Sequence, residues 1–150
     1  MNLASRKYLG TRRNSGFSLV ELVVALAIVA ILSMVALPSF MDSVRKSKRT
    51  DAQAALNRAT TNLERFFGAN GTYTTDTSEL GLLIDDDTAY SDDRGYVMTV
   101  TAGATGIGSS YVVTATAAAG SMQADDTGCT VLAVNSFGQQ TPSPASSHCW

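Results

Sequence analysis

An uninterrupted apolar run near the N-terminus constrains this chain more than any other feature. From Phe17 to Leu37 there are twenty-one residues, and their only ionisable side chain is that of Glu21. A helix that rises about 1.5 Å per residue would span about 31 Å over this run, which matches the roughly 30 Å hydrocarbon core of a bilayer. Ordinary secretory signals have apolar stretches of only about 7–15 residues. The sequence therefore predicts a helix that crosses a membrane once.

Charge is distributed unevenly along the chain. Four of the eleven basic residues precede Gly16 in a segment without acids: Arg6, Lys7, Arg12 and Arg13. Four more follow the apolar run, so counting positive charges on its two flanks gives no orientation: Arg45, Lys46, Lys48 and Arg49. Beyond Asn70, Arg94 is the single base against nine acids. Such an acidic body repels phosphate backbones, which argues against a nucleic-acid partner.

The two cysteines favour a structural role over a catalytic or metal-binding one. Cys129 and Cys149 form no CxxC pair, and His148 is the single histidine, so a disulfide is the economical interpretation and a metal site is not expected. Disulfides persist in oxidising compartments, which would place the C-terminal body outside the cytoplasm. Serine and aspartate residues show no spacing that would build a nucleophile and its base, so we expect neither an enzyme nor a cofactor.

Glu21 requires an explanation, because an acid at the centre of a bilayer costs about 2.5–3.5 kcal/mol on insertion scales. One interpretation is that its side chain reaches back to the lipid headgroups. The other is that it pairs with an amino group created at Phe17 by cleavage after Gly16, either in the same chain or in a neighbour. The second interpretation requires the basic leader to be removed.

The segment Gly16-Phe17-Ser18-Leu19-Val20-Glu21, with a basic leader before it and Pro38 after the apolar run, resembles the class III signal of type IV prepilins. The resemblance implies that a prepilin peptidase removes residues 1–16 and that Phe17 is then methylated. It also implies an assembly role for Glu21 and a helix kink at Pro38. One departure is Ala30, which stands where many major pilins have glycine, so melting of the helix on assembly is less assured.

The rest of the chain fits the same resemblance. Residues 38–69 predict a second, amphipathic helical half with an apolar stripe at three- and four-residue spacing: Ala52, Leu56, Ala59, Leu63, Phe66 and Phe67. Residues 70–150, which we call the head, predict a loop and an antiparallel sheet of about four strands packed on that stripe. The expected fold is α+β, the type IV pilin fold. The segment from Cys129 to the final Cys149-Trp150 resembles the disulfide-bounded loop of PilE-like minor pilins.

The acids between Thr72 and Asp93 raise the question of calcium, but they lack EF-hand spacing and favour a solvated loop. A calcium ion there would favour a type II secretion pseudopilin, the main alternative function. The leading hypothesis is a structural subunit of a type IV pilus, a minor pilin that acts in assembly, adhesion or twitching motility. A further alternative is a competence pilin for DNA uptake.

The resemblance also implies the partners and the location. The partners are the prepilin peptidase, other pilin subunits, the inner-membrane pilus assembly machinery and, before assembly, membrane lipid. The chain would first lie in the inner membrane as a single-pass protein with its head outside the cytoplasm, and then in an extracellular pilus.

Overall fold

A computed structural model describes residues 16–141 and 149–150. The leader bases and His148, on which the sequence analysis comments, lie outside the described residues. The chain divides into two compact units, Met1–Ser39 and Phe40–Trp150, which are treated separately below. One helix, α1, runs from Leu19–Asn70 and contributes residues to both.

In the first unit, α1 presents its apolar side chains to the surroundings on all sides. Large hydrophobic residues from Phe17 to Leu37 are more than half exposed in the isolated chain. By length and composition, this part of α1 is able to cross a membrane. The helix assignment continues through Pro38, and the predicted kink stays a prediction.

In the second unit, α1 buries a stripe of small and aliphatic side chains, which we call the α1 stripe. Its members are fully or almost fully buried: Ala52, Ala55, Leu56, Ala59 and Leu63. They form one core with side chains of the sheet, including Tyr96, Met98 and Val113. The predicted stripe is thereby confirmed, except that Phe66 and Phe67 are half-buried at its end and Ala55 belongs to it.

The sheet is antiparallel throughout, and its six strands follow one another in chain order. The strands are β1 (Leu83–Asp85), β2 (Thr88–Tyr90), β3 (Tyr96–Ala102), β4 (Tyr111–Ala117), β5 (Val131–Asn135) and β6 (Gln140–Thr141). β3 and β4 pair over their full length, from Tyr96 opposite Ala117 to Ala102 opposite Tyr111. Buried and exposed residues alternate along both strands, because one face of the sheet covers α1.

The prediction of about four strands was wrong in number, because the acidic loop contains a short hairpin. β1 and β2 pair through the turn Asp86-Asp87, and both turn residues have positive φ, 44° and 59°. A two-residue hairpin turn of this kind requires positive φ at both positions, and aspartate tolerates it better than most residues. Three-residue strands between aspartates carry too little alternation to be recognised from sequence.

Leu56 offers a test of the α1 stripe, since its side chain is fully buried between helix and sheet. We expect Leu56→Ala to lower the free energy of unfolding of the Phe40–Trp150 unit by about 2–5 kcal/mol, through lost burial and the cavity left behind. Urea denaturation followed by circular dichroism measures this. The matched control is Val131→Ala, at a side chain that is 42% exposed, for which a loss as large as that of Leu56→Ala would contradict the assignment of the core.

Candidate functional site

The residues of the predicted prepilin signal lie at the start of α1. Gly16, Phe17 and Ser18 precede the helix, and the Leu22 amide donates to the Ser18 carbonyl at 3.2 Å. Glu21 occupies the first turn, where the partial positive charge of a helix N-terminus favours an acid. Phe17 is 82% exposed. Both side chains are therefore accessible to an enzyme or to another chain.

The two cysteines form the predicted disulfide. Cys129 and Cys149 are bonded with their Cα atoms 5.5 Å apart, and both are buried in the core of the second unit. A separate hydrogen bond attaches the C-terminus to α1, since Gln53 Nε2 donates to the Cys149 carbonyl at 2.8 Å. The Trp150 indole donates to the Thr141 carbonyl at 3.2 Å, which attaches the terminus to β6 as well.

Most of the basic residues that follow the apolar run form ion pairs with carboxylates of the same chain. Lys48 Nζ lies 3.2 Å from Asp93, and Arg49 forms a two-pronged pair with Asp126, at 2.6 and 2.9 Å. Hydrogen bonding to Asp126 raises the pKa of Arg49. The head itself thus supplies carboxylates to Lys48 and Arg49.

A second two-pronged pair joins α1 to the loop before β3. Arg58 donates to both oxygens of Asp92, at 2.9 and 2.6 Å, and hydrogen bonding to Arg58 holds the pKa of Asp92 below its ordinary value of 3.8. Arg94, in the loop between β2 and β3, pairs with Asp85 of β1 at 2.5 Å. Three acids of the loop considered for calcium, Asp85, Asp92 and Asp93, thus already face cations of the chain.

A buried polar network lies beneath the Arg49 pair. Gln123 is fully buried, and its amide nitrogen donates to Tyr96 Oη at 2.9 Å and to Asp126 Oδ2 at 3.2 Å. Tyr96 in turn donates to the Cys129 carbonyl at 3.0 Å. The network connects α1 to the disulfide. Sequence reasoning missed Gln123, since nothing in a loop glutamine distinguishes a buried position from an exposed one.

Glu64 ties the other end of the helix to the sheet. Its carboxylate accepts from Tyr111 Oη at 2.9 Å and from Tyr73 Oη at 3.3 Å. Burial first, and then the Glu64 carboxylate, raises the pKa of Tyr111 above its ordinary value. Tyr73 also stacks on Phe67, with ring centroids 4.5 Å apart. This cluster anchors the segment that follows α1.

The predicted signal segment is therefore exposed, and the head packs against the second half of α1. Comparisons with known proteins agree with the resemblance to type IV pilins. The family described as "Type IV minor pilin ComP, DNA uptake sequence receptor" matches residues 38–133, and the prokaryotic N-terminal methylation motif matches residues 11–37. The chain belongs to the type IV minor pilins. The predicted resemblance is confirmed, and the match selects a minor pilin over the secretion pseudopilin.

Two individual relatives share 35% and 22% sequence identity with this minor pilin. The type IV major pilin protein PilA of Myxococcus xanthus (strain DK1622) is 35% identical over 69 residues, which is 46% of this chain and only 31% of the PilA length. A type IV pilin structure from Shewanella oneidensis shares 22% identity, covering 71% of this chain and 97% of that one, with a TM-score of 0.47.

The Arg58–Asp92 pair generates a prediction about acid. Because the folded-state pKa of Asp92 is lowered, its contribution to stability is present above pH 3.8 and is lost as pH falls through the folded-state value. We expect Asp92→Asn to flatten the loss of stability below about pH 4 that the unaltered Phe40–Trp150 unit shows. Thermal unfolding between pH 2 and pH 6, values chosen to bracket the roughly pH 3.9 of a free aspartate, measures the slope.

Asp86→Asn is the matched control for Asp92→Asn. Asp86 is an exposed loop acid for which the described residues provide no ion pair, and asparagine accepts its positive φ of 44°. An Asp86→Asn profile as flat as that of Asp92→Asn would show that general charge, and not the Arg58 pair, governs acid stability.

Proposed function

We propose that this minor pilin is made as a precursor, that a prepilin peptidase cuts it between Gly16 and Phe17, and that the new Phe17 amine is methylated. Before assembly it lies in the inner membrane as a single-pass protein with its head outside the cytoplasm. It then enters a type IV pilus through the assembly machinery, where the apolar helices bundle and the heads face outward. The observation that carries the proposal is the match to the methylation motif, followed by an exposed apolar helix with one acid.

In this proposal Glu21 selects and registers the incoming subunit. The described part of the apolar run holds no cation that could neutralise it, and an acid in hydrocarbon costs about 2.5–3.5 kcal/mol. The amino group that cleavage exposes at Phe17 is a cation close to Glu21 along the helix, in the same chain or in a neighbour. Two opposite charges that meet in apolar surroundings stabilise each other, whereas either one left alone is costly. Maturation and assembly would therefore be coupled electrostatically.

Glu21→Ala tests this coupling. We expect the variant to be cleaved after Gly16 as efficiently as the unaltered chain, because the cut precedes the substitution by five residues. Its amount in fibres should fall by about tenfold or more, as for a buried ion pair with one partner removed. Immunoblots of membranes and of sheared fibres separate the two effects. Ser33→Ala, which removes the other polar hydrogen-bonding group deep in the run, is the control and should enter fibres normally.

Normal incorporation of Glu21→Ala would contradict the pairing and would favour the interpretation in which Glu21 contacts lipid headgroups. A failure of cleavage in Glu21→Ala would instead show that Glu21 acts at the peptidase step.

DNA uptake is the second candidate function, because the description of the matching family includes the words "DNA uptake sequence receptor". The charges of the described residues oppose it. Of seven basic residues among those described, five are paired with carboxylates: Arg45, Lys48, Arg49, Arg58 and Arg94. Lys46 and Arg65 have no carboxylate partner in residues 16–141. Two separate cations provide little of the basic surface from which nucleic-acid affinity arises.

A DNA-binding measurement distinguishes a purely structural pilin from a DNA-receptor pilin. Electrophoretic retention of double-stranded DNA by the Phe40–Trp150 unit is compared at low and at physiological salt, with Lys46→Ala as the matched variant. A purely structural pilin gives no retention under either condition. Retention that weakens with salt and falls further in Lys46→Ala would establish the DNA-receptor function.

A further inference from the structure

A groove of about 180 Å³ lies between α1 and the C-terminal residues of the head, and we call it the Lys46 groove. Its described lining consists of four residues of α1 and two of the C-terminal segment: Lys46, Arg49, Thr50, Gln53, Cys149 and Trp150. The four helical positions follow the i, i+3, i+4, i+7 spacing of one helix face. No acidic side chain is among these six residues, although the head has nine acids and one base beyond Asn70. An anion in the groove therefore avoids the repulsion that most of the head exerts.

Lys46 supplies the positive charge of the groove that is available to a ligand. The other cation of the lining, Arg49, donates to both carboxylate oxygens of Asp126, so its charge is already compensated. The Lys46 side chain is exposed, and the residues that the structure describes give it no carboxylate partner. Its ammonium group can therefore bind an anion without breaking an ion pair of the described chain.

Trp150 gives the Lys46 groove an aromatic wall. The indole is half-buried, and its nitrogen donates to the Thr141 carbonyl at 3.2 Å, which holds the ring in place. Tryptophan is enriched where a membrane meets water, because its ring is apolar and its N–H is polar. Lysine side chains near the end of a membrane span extend to the same layer. The two side chains together suit the phosphate of a lipid headgroup.

The position of the groove along the chain also points to a bilayer. Lys46 follows Leu37, the last residue of the apolar run, by nine positions, so at about 1.5 Å per residue the helix separates the two by at most about 14 Å, however it bends. The headgroup layer adds roughly 5–8 Å to each side of the hydrocarbon core. Side chains tilt toward the N-terminus of a helix, which is here the direction of the apolar run. Phe40 and Met41, which lie in between, are 67% and 41% exposed, so the apolar surface continues toward the groove.

We propose that the Lys46 groove binds the phosphate of an anionic phospholipid and so attaches the head to the membrane surface before assembly. This inference rests on the proposed function, since it requires the chain to lie in a membrane, and it adds the lipid class and the residue that recognises it. One lysine is enough for one lipid phosphate, whereas affinity for nucleic acid is summed over many phosphates. Salt weakens the contact, because the groove is open to solvent.

Fluorescence of Trp150 tests the proposal on the full-length chain, because this residue is the only tryptophan in the sequence. The chain is reconstituted at low density into phosphatidylcholine vesicles in which a fixed fraction of the headgroups carries a nitroxide quencher. The share of phosphatidylglycerol is then raised stepwise. We expect quenching of Trp150 to increase with the share of this anionic lipid and to weaken with added salt. Inorganic phosphate added to vesicles without phosphatidylglycerol should leave the fluorescence unchanged.

Three substitutions on α1 identify the residue responsible. Lys46→Gln should lower the apparent affinity for phosphatidylglycerol by about fivefold, the contribution of one lysine at an anionic surface. Lys46→Arg keeps the charge and should respond as the unaltered chain does. Arg65→Gln is the matched control, because Arg65 is also exposed and has no carboxylate partner among the described residues, but lies nineteen positions further along α1. Its response should be unchanged.

Flotation of the vesicles separates a failure of this site from a failure of the proposed function. A chain that floats but shows no dependence on phosphatidylglycerol, or a Lys46→Gln variant with the full response, would overturn the headgroup site and leave membrane insertion standing. An equal response to inorganic phosphate would make the groove a site for free anions, and a response that depends on the density of the chain would make a second copy its occupant. Either result overturns the lipid assignment. A chain that does not float would contradict the membrane stage of the proposed function itself.

Discussion

The structure of the second unit depends on the contact between the α1 stripe and the sheet. Alanine at three of the five stripe positions allows the helix backbone to approach the strands closely, and Leu56 and Leu63 fill the remaining space. The disulfide, the Gln123 network and the Glu64 cluster all lie around this contact and hold loops against it. Without this packing, the residues that make those polar contacts would not be held close to one another.

Ion pairs add specificity to that contact. Lys48, Arg49 and Arg58 project from α1 at positions where the head presents Asp93, Asp126 and Asp92. The Lys48–Asp93 and Arg58–Asp92 pairs are partly exposed and contribute little stability individually, whereas the Arg49–Asp126 pair is largely buried. All three define which loop lies along which part of the helix. They also pair most of the basic residues in the described part of the chain, which leaves few cations free to bind an anion. The same local neutralisation that orders the loops thus disfavours a nucleic-acid backbone as a ligand.

The sequence predicted those parts of the molecule that depend on local pattern. The prepilin signal around Gly16, the stripe at helical spacing and the strands around Met98 and Val113 each follow from a few neighbouring residues. The disulfide followed from there being only two cysteines. The Arg49–Asp126 pair joins residues 77 positions apart, and the Asp86-Asp87 hairpin needs a left-handed turn that aspartate only tolerates. The ion pair depends on tertiary placement, for which local pattern gives no signal, whereas the hairpin is local but has strands too short to show alternation.

The central claim is that this minor pilin becomes a fibre subunit only after its leader is removed. Mass spectrometry of the N-terminal peptide from sheared fibres tests it most directly. The expected peptide begins at Phe17 and carries one methyl group on its amine, and no fibre-derived peptide extends into residues 1–16. Fibres that contain the chain with its leader intact, or with an unprocessed Gly16–Phe17 bond, would contradict the claim.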